Sequence, residues 1–469
     1  MSINSYQKTR LLIPIVGKGS IVHIIRSGLI HKIADFCVPV IALAWDDKEL
    51  SEEIKKMGYE ISLMPSFHPT QEYLSVRSKI NFWYLKYVLK SQSTKIQTAY
   101  VNRGIALSTR IKLHLIRLKR TLVIKINRLY IPSLISTEGQ LLETEKSFLQ
   151  FSKWISALKI DAIFTVTPFL VEIEWLARIC KQKAFPVIAS IHSFDNVTKR
   201  KWPAIFFDHY FVWNKYNRAE LQRINPSLTD NDITIAGAPQ FDLHYNKKYL
   251  WPKEYWEERL KVPSNKKIIL YAGGSSGILE NEPQYVKDIV DALDEGKIEN
   301  AILLFRCHPL DNVERWKEFV GSSPHIVYDF MPTVNEKKDF QNMAEDDVCN
   351  LISTLKYSSV HVNVASTMTV DGSAFFKPQI GPYYDDIDKK GEKLMRKLYH
   401  QEHYQPIIKS GVLNLATSRQ HLIILIKNAL SKPEEFTNNC TKCIEEIITY
   451  QDGQSAERVN ASLRKILGC

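Results

Sequence analysis

Residues 301–309 read AILLFRCHP, and residues 360–372 read VHVNVASTMTVDG. The first stretch begins with a continuous apolar run of strand length, residues 360–364 of the second also read as a strand, and polar side chains follow both. In an open parallel α/β sheet, ligands bind at the carboxyl ends of the strands. The two stretches therefore predict an α/β fold with a binding site at the end of each strand.

The polar residues at these two strand ends are of types that bind phosphate and ribose. Arg306 and His308 fall where the first strand stops, and Ser366 and Thr367 are predicted to start a helix after the second. Hydroxyls and free N–H groups at a helix start favour an anion, although an ordinary N-cap has the same residues. Asp371 lies about one turn further, on the same face, where its carboxylate can accept hydrogen bonds from ribose hydroxyls.

This order of motifs resembles bacterial glycosyltransferases of the two-Rossmann (GT-B) fold. The likeness is strongest to the branch around CDP-glycerol glycerophosphotransferases and surface-carbohydrate glycosyltransferases. In that branch, the His-Pro and hydroxyl pairs hold the donor diphosphate, and the acid holds the ribose. The resemblance implies two Rossmann-like domains facing a cleft. It also implies that the nucleotide donor is bound by Arg306, His308, Ser366, Thr367 and Asp371.

A glycine loop adds to the predicted donor site. Residues 267–272 read as a strand, and Gly273, Gly274 and Ser275 follow it in a loop that continues through Ser276 to Gly277. Such a loop is rich in backbone donors that can surround a pyrophosphate. It lacks the Lys-Ser/Thr ending of a P-loop, so ATP hydrolysis is not indicated.

Length and composition indicate a soluble globular protein. The chain has 469 residues, of which 45% are hydrophobic and 24% are charged, and two larger domains fit this length best. No apolar run reaches about eighteen residues, which argues against a transmembrane helix. The early apolar run leads into glycines, which indicates a first strand and not a signal peptide. Seven scattered cysteines indicate a reducing cytoplasm, and the Cys440/Cys443 pair is interpreted as incidental thiols.

The net charge of +11 is concentrated in one segment. Residues 73–137 contain thirteen Lys and Arg residues and no Asp or Glu. An apolar stripe repeats there at helical spacing, formed by Ile111, Leu115, Leu118, Leu122, Ile126 and Leu129. A basic amphipathic helix is typical of segments that lie on an anionic bilayer. The alternatives are a helix packed by its stripe onto the domain, and a nucleic-acid surface. We predict the membrane surface and no nucleic acid.

The N-terminal half supplies candidates for the acceptor side. Residues 11–16 read as a strand, followed by Gly17, Gly19 and a helix predicted from Ile21 to about Asp35. In GT-B enzymes this loop faces the acceptor, and glycines let a ligand approach the backbone closely. A tight strand-to-helix turn explains the same glycines.

A second polar loop, 191–199, follows another predicted strand. It contains His192, Asp195 and Asn196 and resembles a Ser-Trp-Asp-Asn-Leu-Thr stretch of the same surface-carbohydrate enzymes. An Asx turn or helix cap explains Asp195 and Asn196 equally well. If the reaction inverts configuration, a general base is needed here. We predict Asp195, with His192 and His23 as further candidates.

The sequence thus predicts an N-terminal Rossmann-like acceptor domain (1–250, with a basic helical insert at about 71–149), a donor domain (251–430) and C-terminal helices (431–469). The predicted function is transfer of a sugar from a nucleotide sugar to a lipid-linked glycan. His308 is expected to be essential for the rate, and no metal or other cofactor is expected. The alternatives are a CDP-glycerol-type glycerophosphotransferase, a nucleotide-sugar 2-epimerase and a non-catalytic glycan-binding scaffold. The predicted location is the cytoplasmic face of the plasma membrane.

Overall fold

The chain folds into two compact units in a computed structural model that describes residues 8–103, 105–275, 277–308, 311, 313–319, 321–329 and 344–469. The first unit comprises the described parts of Met1–Thr94, Gly104–Gln240 and Gln454–Cys469. The second comprises the described parts of Lys95–Arg103 and Phe241–Gly453. The last segment of the chain therefore belongs to the first unit.

A seven-stranded sheet with the order β3-β2-β1-β4-β5-β6-β7 forms the first unit. Every neighbouring pair is parallel. The order reverses between β1 and β4, which is the topological switch point of a doubly wound sheet. Its strands are β1 (Thr9–Ile15), β2 (Cys37–Leu43), β3 (Glu60–Leu63), β4 (Ala162–Thr165), β5 (Val187–Ser190), β6 (His209–Val212) and β7 (Ile233–Ile235).

A six-stranded sheet with the order β10-β9-β8-β11-β12-β13 forms the second unit, and its neighbouring pairs are also parallel. Its strands are β8 (Lys267–Ala272), β9 (Ala301–Arg306), β10 (Ile326–Asp329), β11 (Val360–Asn363), β12 (Gln379–Pro382) and β13 (Leu413–Ala416). The strands predicted before His308 and Ser366 are confirmed as β9 and β11. The switch point of this sheet lies between β8 and β11.

Helices cover both sheets. Those of the first unit, one of them shared with the second, are α1 (Lys18–Ser20), α2 (Leu29–Ala34), α3 (Lys48–Lys56), α4 (Gln71–Trp83), α5 (Gln92–Arg103), α6 (Leu107–Ile126), α7 (Tyr130–Thr144), α8 (Lys146–Leu158), α9 (Val171–Gln182), α10 (Asn196–Lys199) and α11 (Lys215–Ile224). Those of the second unit are α12 (Asp242–Tyr245), α13 (Lys253–Leu260), α14 (Pro283–Asp294), α15 (Glu345–Tyr357), α16 (Met368–Ala374), α17 (Lys389–Leu398), α18 (Gln405–Ser410), α19 (Arg419–Ser431), α20 (Glu434–Thr437) and α21 (Cys440–Ile447). α22 (Ser455–Ile466) returns to the first unit, where Lys32 of α2 contacts Glu457 at 2.6 Å.

The single helix predicted from Ile21 to about Asp35 is wrong. A π-helix occupies Ile21–Arg26, and α2 begins only at Leu29. Gly28, which separates them, has a φ of 75° in the left-handed region. A glycine reaches this conformation without steric strain, whereas a helix cannot continue through it.

The basic insert, α4 to α8, occupies the connection between β3 and β4. Arg77 of α4 reaches Glu138 of α7 at 2.7 Å and Glu174 of α9 at 2.5 Å. All three side chains are at most 4% exposed. Nearby, Tyr73 and Trp175 pack edge to face in the same core. A buried ion cluster and aromatic packing therefore attach the insert to the sheet domain.

Candidate functional site

A cavity of about 190 Å³ lies at the switch point of the first sheet. The turn after β1 contributes Gly17 and Gly19 to its lining, and the loop after β4 contributes Thr167. The loop after β5 contributes His192 and Asn196. Four of the predicted acceptor-side residues are thus brought together, because carboxyl ends of neighbouring parallel strands meet at one sheet edge.

His192 lines this cavity, and one of its ring nitrogens has a backbone partner. Its Nδ1 lies 3.1 Å from the Val166 carbonyl oxygen. Because a carbonyl only accepts, Nδ1 carries the proton and Nε2 holds a lone pair. Nε2 makes no hydrogen bond within the described part of the chain, and burial lowers the pKa of His192 below its usual 6.5. This imidazole is therefore neutral near pH 7 and able to accept a proton.

Two further residues of the cavity were not among the predicted site residues. The Thr167 hydroxyl is buried and has no hydrogen-bond partner among the described residues. Such a group is destabilising unless a ligand or water satisfies it. Arg200 also lines the cavity, and its Nε and Nη2 groups donate to Asn196 Oδ1 at 2.8 and 2.5 Å. The position of Thr167 after a predicted strand was a usable signal, whereas nothing in the sequence singled out Arg200.

His23 lies inside the unit and supports the His192 loop. Its Nδ1 pairs with Gln240 Oε1 at 2.9 Å, and its Nε2 pairs with the Ser190 hydroxyl at 3.0 Å. Gln240 in turn donates through Nε2 to the carbonyl oxygen of His192 at 2.6 Å. Burial, with a smaller contribution from His192, lowers the pKa of His23 to about 3. With both ring nitrogens occupied, His23 is suited to positioning and not to proton transfer with a ligand.

Asp195, the predicted general base, is held in a local network. Its carboxylate accepts hydrogen bonds from the Ser193 hydroxyl at 2.5 Å and from Asn196 Nδ2 at 3.3 Å. It also forms an ion pair with Lys199 at 2.8 Å. Its negative charge favours the protonated imidazole of His192 and so partly offsets the lowering of the His192 pKa by burial.

In the second unit, three predicted donor segments come to one sheet edge. Ala272 pairs in register with Arg306 on one side and with Asn363 on the other, so the carboxyl ends of β8, β9 and β11 are aligned at the same edge of the sheet. The glycine loop, the Arg306-His308 segment and the Ser366-Thr367 pair follow these three ends. Pro309 and Ser276, which belong to the predicted signatures, lie outside the described residues.

Asp371 has a partner that the sequence did not suggest. It lies on α16, as predicted, and its Oδ1 accepts a hydrogen bond from His244 Nε2 at 3.0 Å. The His244 ring stacks on Phe241, with centroids 4.5 Å apart and an interplanar angle of 8°. The Asp371 side chain is 16% exposed, and its Oδ2 makes no hydrogen bond within the described residues. One carboxylate oxygen therefore remains available for a ligand hydroxyl.

Several groups that were predicted to donate hydrogen bonds to the phosphates already have partners within the second unit. The Arg306 guanidinium is buried and forms an ion pair with Asp329. The Gly273 N–H donates to the Arg306 carbonyl oxygen at 2.9 Å, and the Gly274 N–H donates to the Glu282 carboxylate at 2.9 Å. The Ser366 hydroxyl accepts from the Met368 N–H at 3.2 Å, which leaves its own proton available.

Glu282, which the sequence reasoning missed, organises the glycine loop. Besides Gly274, it accepts from the Tyr271 hydroxyl at 3.1 Å and from Arg315 at 2.8 Å. Burial raises the pKa of Glu282 to about 7, against the opposing effect of Arg315. Among the described residues, no group of three or more His, Cys, Asp or Glu side chains is placed to hold a metal ion.

The fold is shared with solved structures of very different sequence. The chain is similar to UDP-bound MnaA of S. aureus, with 10% identity, a TM-score of 0.57 and coverage of 98% of this chain and 97% of that one. It is also similar to a glycosyltransferase of Rickettsia africae, with 12% identity, a TM-score of 0.52 and coverage of 98% and 99%. This chain has the GT-B fold.

Another similar structure is the UDP-GlcNAc 2-epimerase of Neisseria meningitidis bound to UDP-GlcNAc, with 9% identity, a TM-score of 0.56 and coverage of 97% and 100%. No protein-family model and no curated protein match the sequence. At such low identities, the likeness establishes the two Rossmann-like domains and no particular reaction. The assignment to the CDP-glycerol branch therefore stays a prediction.

Proposed function

We propose that this GT-B protein is a glycosyltransferase that moves a sugar from a nucleotide sugar to a lipid-linked glycan in surface-polysaccharide assembly. The observation that carries the proposal is the cavity of the first unit, where the neutral His192 presents the lone pair of Nε2. Attack by an acceptor hydroxyl requires a base that removes its proton. A histidine with a lowered pKa is unprotonated at neutral pH and fits that role.

In this mechanism, the acceptor binds in the first unit. Its attacking hydroxyl donates to His192 Nε2 and passes its proton there as the new glycosidic bond forms and the bond between the sugar and the nucleotide diphosphate breaks. The buried Thr167 hydroxyl and the Arg200 guanidinium bind other oxygens of the glycan. Gly17 and Gly19 leave room for the acceptor beside the turn. Asp195 stabilises the imidazolium that forms, because a nearby negative charge favours the charged ring.

The donor binds at the edge of the second unit. Oδ2 of Asp371 accepts from a ribose hydroxyl while His244 fixes the orientation of the carboxylate. His308 and the hydroxyls of Ser366 and Thr367 donate to the diphosphate. Stabilising the charge on the leaving nucleotide is usually the largest catalytic contribution. Arg306 acts indirectly, because its charge is already paired with Asp329.

We place the enzyme at the cytoplasmic face of the plasma membrane, where a lipid-linked acceptor is found. The basic excess of residues 73–137 supports this location, because anionic headgroups attract clustered Lys and Arg. Among the described helices, none is long and apolar enough to cross a bilayer.

The variant His192→Asn tests the proposal. The asparagine amide can keep the hydrogen bond to Val166, but it offers no base at the position of Nε2. We expect acceptor-dependent donor turnover to fall roughly 10²- to 10⁴-fold with little change in melting temperature. In the wild type, the acid limb of kcat/KM should lie below pH 6.5, and the variant should lack it. His31→Asn, at an exposed histidine of the same unit, is the matched control.

The donor is identified by measuring thermal stabilisation with UDP, CDP, CMP, GDP and dTDP, since a ligand that binds only the native state raises the melting temperature. One nucleotide should stabilise the wild type, and Asp371→Asn should weaken that effect. Conversion of a nucleotide sugar to its 2-epimer without acceptor would refute the transferase proposal. Transfer of glycerol phosphate from CDP-glycerol would refute the sugar as the transferred group. Absence of stabilisation by every nucleotide would favour a scaffold.

A further inference from the structure

Helix α6 carries an apolar stripe that the protein leaves uncovered. None of its 20 residues is buried. Six large aliphatic side chains on it are between 52% and 73% exposed. These residues, which we call the α6 stripe, are Leu107, Ile111, Leu115, Leu118, Leu122 and Ile126. Successive residues of an α-helix are offset by about 100°, so these spacings place all six within one face.

The opposite face of α6 contacts the rest of the unit. Ile124 packs against a cluster of buried aliphatic residues on α4 and α7. The Thr121 hydroxyl accepts from Lys86 at 2.6 Å, and the Arg120 guanidinium lies 5.8 Å from the centre of the Phe82 ring. These contacts fix the rotation of α6 about its axis. The interpretation in which the stripe packs onto the domain is therefore wrong.

The charges around the stripe are all positive. On the helical projection, Lys112 and Lys119 lie along one border of the stripe, and Arg110 and Lys125 lie towards the other. Residues 73–137 contain no Asp or Glu that could offset them. A second copy of the chain would bring like charges together, which disfavours self-association through this face. A nucleic acid would match the charge but would leave the aliphatic side chains exposed.

We propose that the α6 stripe inserts into the surface of an anionic membrane while the flanking basic residues contact lipid phosphates. A bilayer interface is the partner that satisfies both features, because its acyl boundary takes the aliphatic side chains and its headgroups take the cations. The purpose of this docking rests on the proposed function, since it brings the enzyme to a lipid-linked acceptor.

The test is cosedimentation of the full chain with vesicles of phosphatidylcholine, with and without phosphatidylglycerol. We expect binding to the anionic vesicles only. The variant L115Q/L118Q/L122Q should bind these vesicles roughly tenfold more weakly or worse, because it loses apolar surface that would be buried. The variant K112Q/K119Q/K125Q should lose roughly 100-fold at low salt, at about 1 kcal/mol per charge.

A matched triple variant separates the stripe from general surface hydrophobicity. L149Q/I387Q/I424Q changes three other aliphatic residues, which are 48%, 67% and 46% exposed, and should bind like the wild type. All variants should keep the melting temperature of the wild type, since the altered side chains are exposed. Vesicle binding is measured without substrate, so an absence of binding would not contradict the proposed glycosyl transfer. Likewise, an absence of glycosyl transfer would not contradict membrane docking.

Three results would overturn the inference. The first is unchanged vesicle binding by the apolar triple variant. The second is a wild-type dimer that this variant converts to a monomer while vesicle binding persists, which would make the stripe a self-association surface. The third is binding of duplex DNA that exceeds binding of anionic vesicles at the same salt concentration, which would assign the basic face to nucleic acid.

Discussion

The ion cluster under the basic insert permits a quantitative test. Arg77→Met keeps a long side chain but removes the cation shared by the carboxylates of Glu138 and Glu174. All three side chains are at most 4% exposed, so the carboxylates would be left buried without a counter-charge. Breaking a buried pair in this way costs about 3–5 kcal/mol of unfolding free energy. In a unit of this size, that corresponds to a melting temperature lower by roughly 6–20 °C.

The same cluster predicts how the loss depends on pH. One guanidinium cannot neutralise two buried carboxylates, and burial raises the pKa of Glu174 from 4.5 to about 7. A group with a raised folded-state pKa contributes stability that is full below the unfolded pKa and is lost as pH rises through the folded value. The wild-type melting temperature should therefore fall between pH 5 and pH 7, and Glu174→Gln should flatten this slope.

Differential scanning calorimetry of the wild type and of Arg77→Met, at pH 5 and at pH 7.5, measures these melting temperatures. Burial already raises the pKa of Glu174, so this carboxylate is protonated at pH 5 and needs no cation there; the deficit of Arg77→Met should therefore be smaller at pH 5. Lys112→Met, at an exposed position of α6, is the control and should stay within about 0.5 kcal/mol of the wild type. A deficit below about 2 °C at pH 7.5, or one that does not shrink at pH 5, would refute the reasoning.

Two predictions concern glycines that other groups approach closely. A Cβ at Gly372 would lie 2.2 Å from Gln379 Nε2. Gly372→Ala should therefore lower both the melting temperature and the thermal stabilisation by nucleotide. Nucleotide stabilisation of the variant equal to that of the wild type would contradict this. A Cβ at Gly19 would lie 2.7 Å from Cδ2 of His192, so Gly19→Ala should displace the imidazole and reduce acceptor-dependent turnover at least roughly tenfold with little change in melting temperature. Gly139→Ala meets only an ordinary contact at 3.8 Å and should be neutral in both assays.

The sequence predicted the parallel sheets because buried parallel strands are rich in apolar residues: continuous apolar runs precede His308 and Gly273, and a valine-rich segment precedes Ser366. It predicted residues at strand ends for the same reason, since polar groups directly after a run mark the sheet edge. It could not predict which of these groups the fold uses internally. The ion pair of Arg306 with Asp329 joins residues on two different strands, and no local sequence pattern predicts such a contact.

The choice among candidate bases also depended on tertiary contacts. Asp195 and His192 are near neighbours in one loop, and the sequence-based prediction favoured Asp195. The carbonyl of Val166, which comes from another strand end, fixes the tautomer of His192 and so leaves the lone pair on Nε2. Likewise, periodicity identified five of the six residues of the α6 stripe but gave no information on whether they face the domain or the solvent. The contacts of the opposite face decide that question.

The position of the basic insert has an evolutionary consequence. All five of its α-helices fall within one crossover, between β3 and β4, and Arg77 of α4 attaches the insert to the sheet domain. A crossover can lengthen or shorten without changing strand order, so this connection is where a lineage could gain or lose the proposed membrane docking while keeping the residues at the strand ends. Related enzymes with a short connection here should act on soluble acceptors with the same strand-end residues.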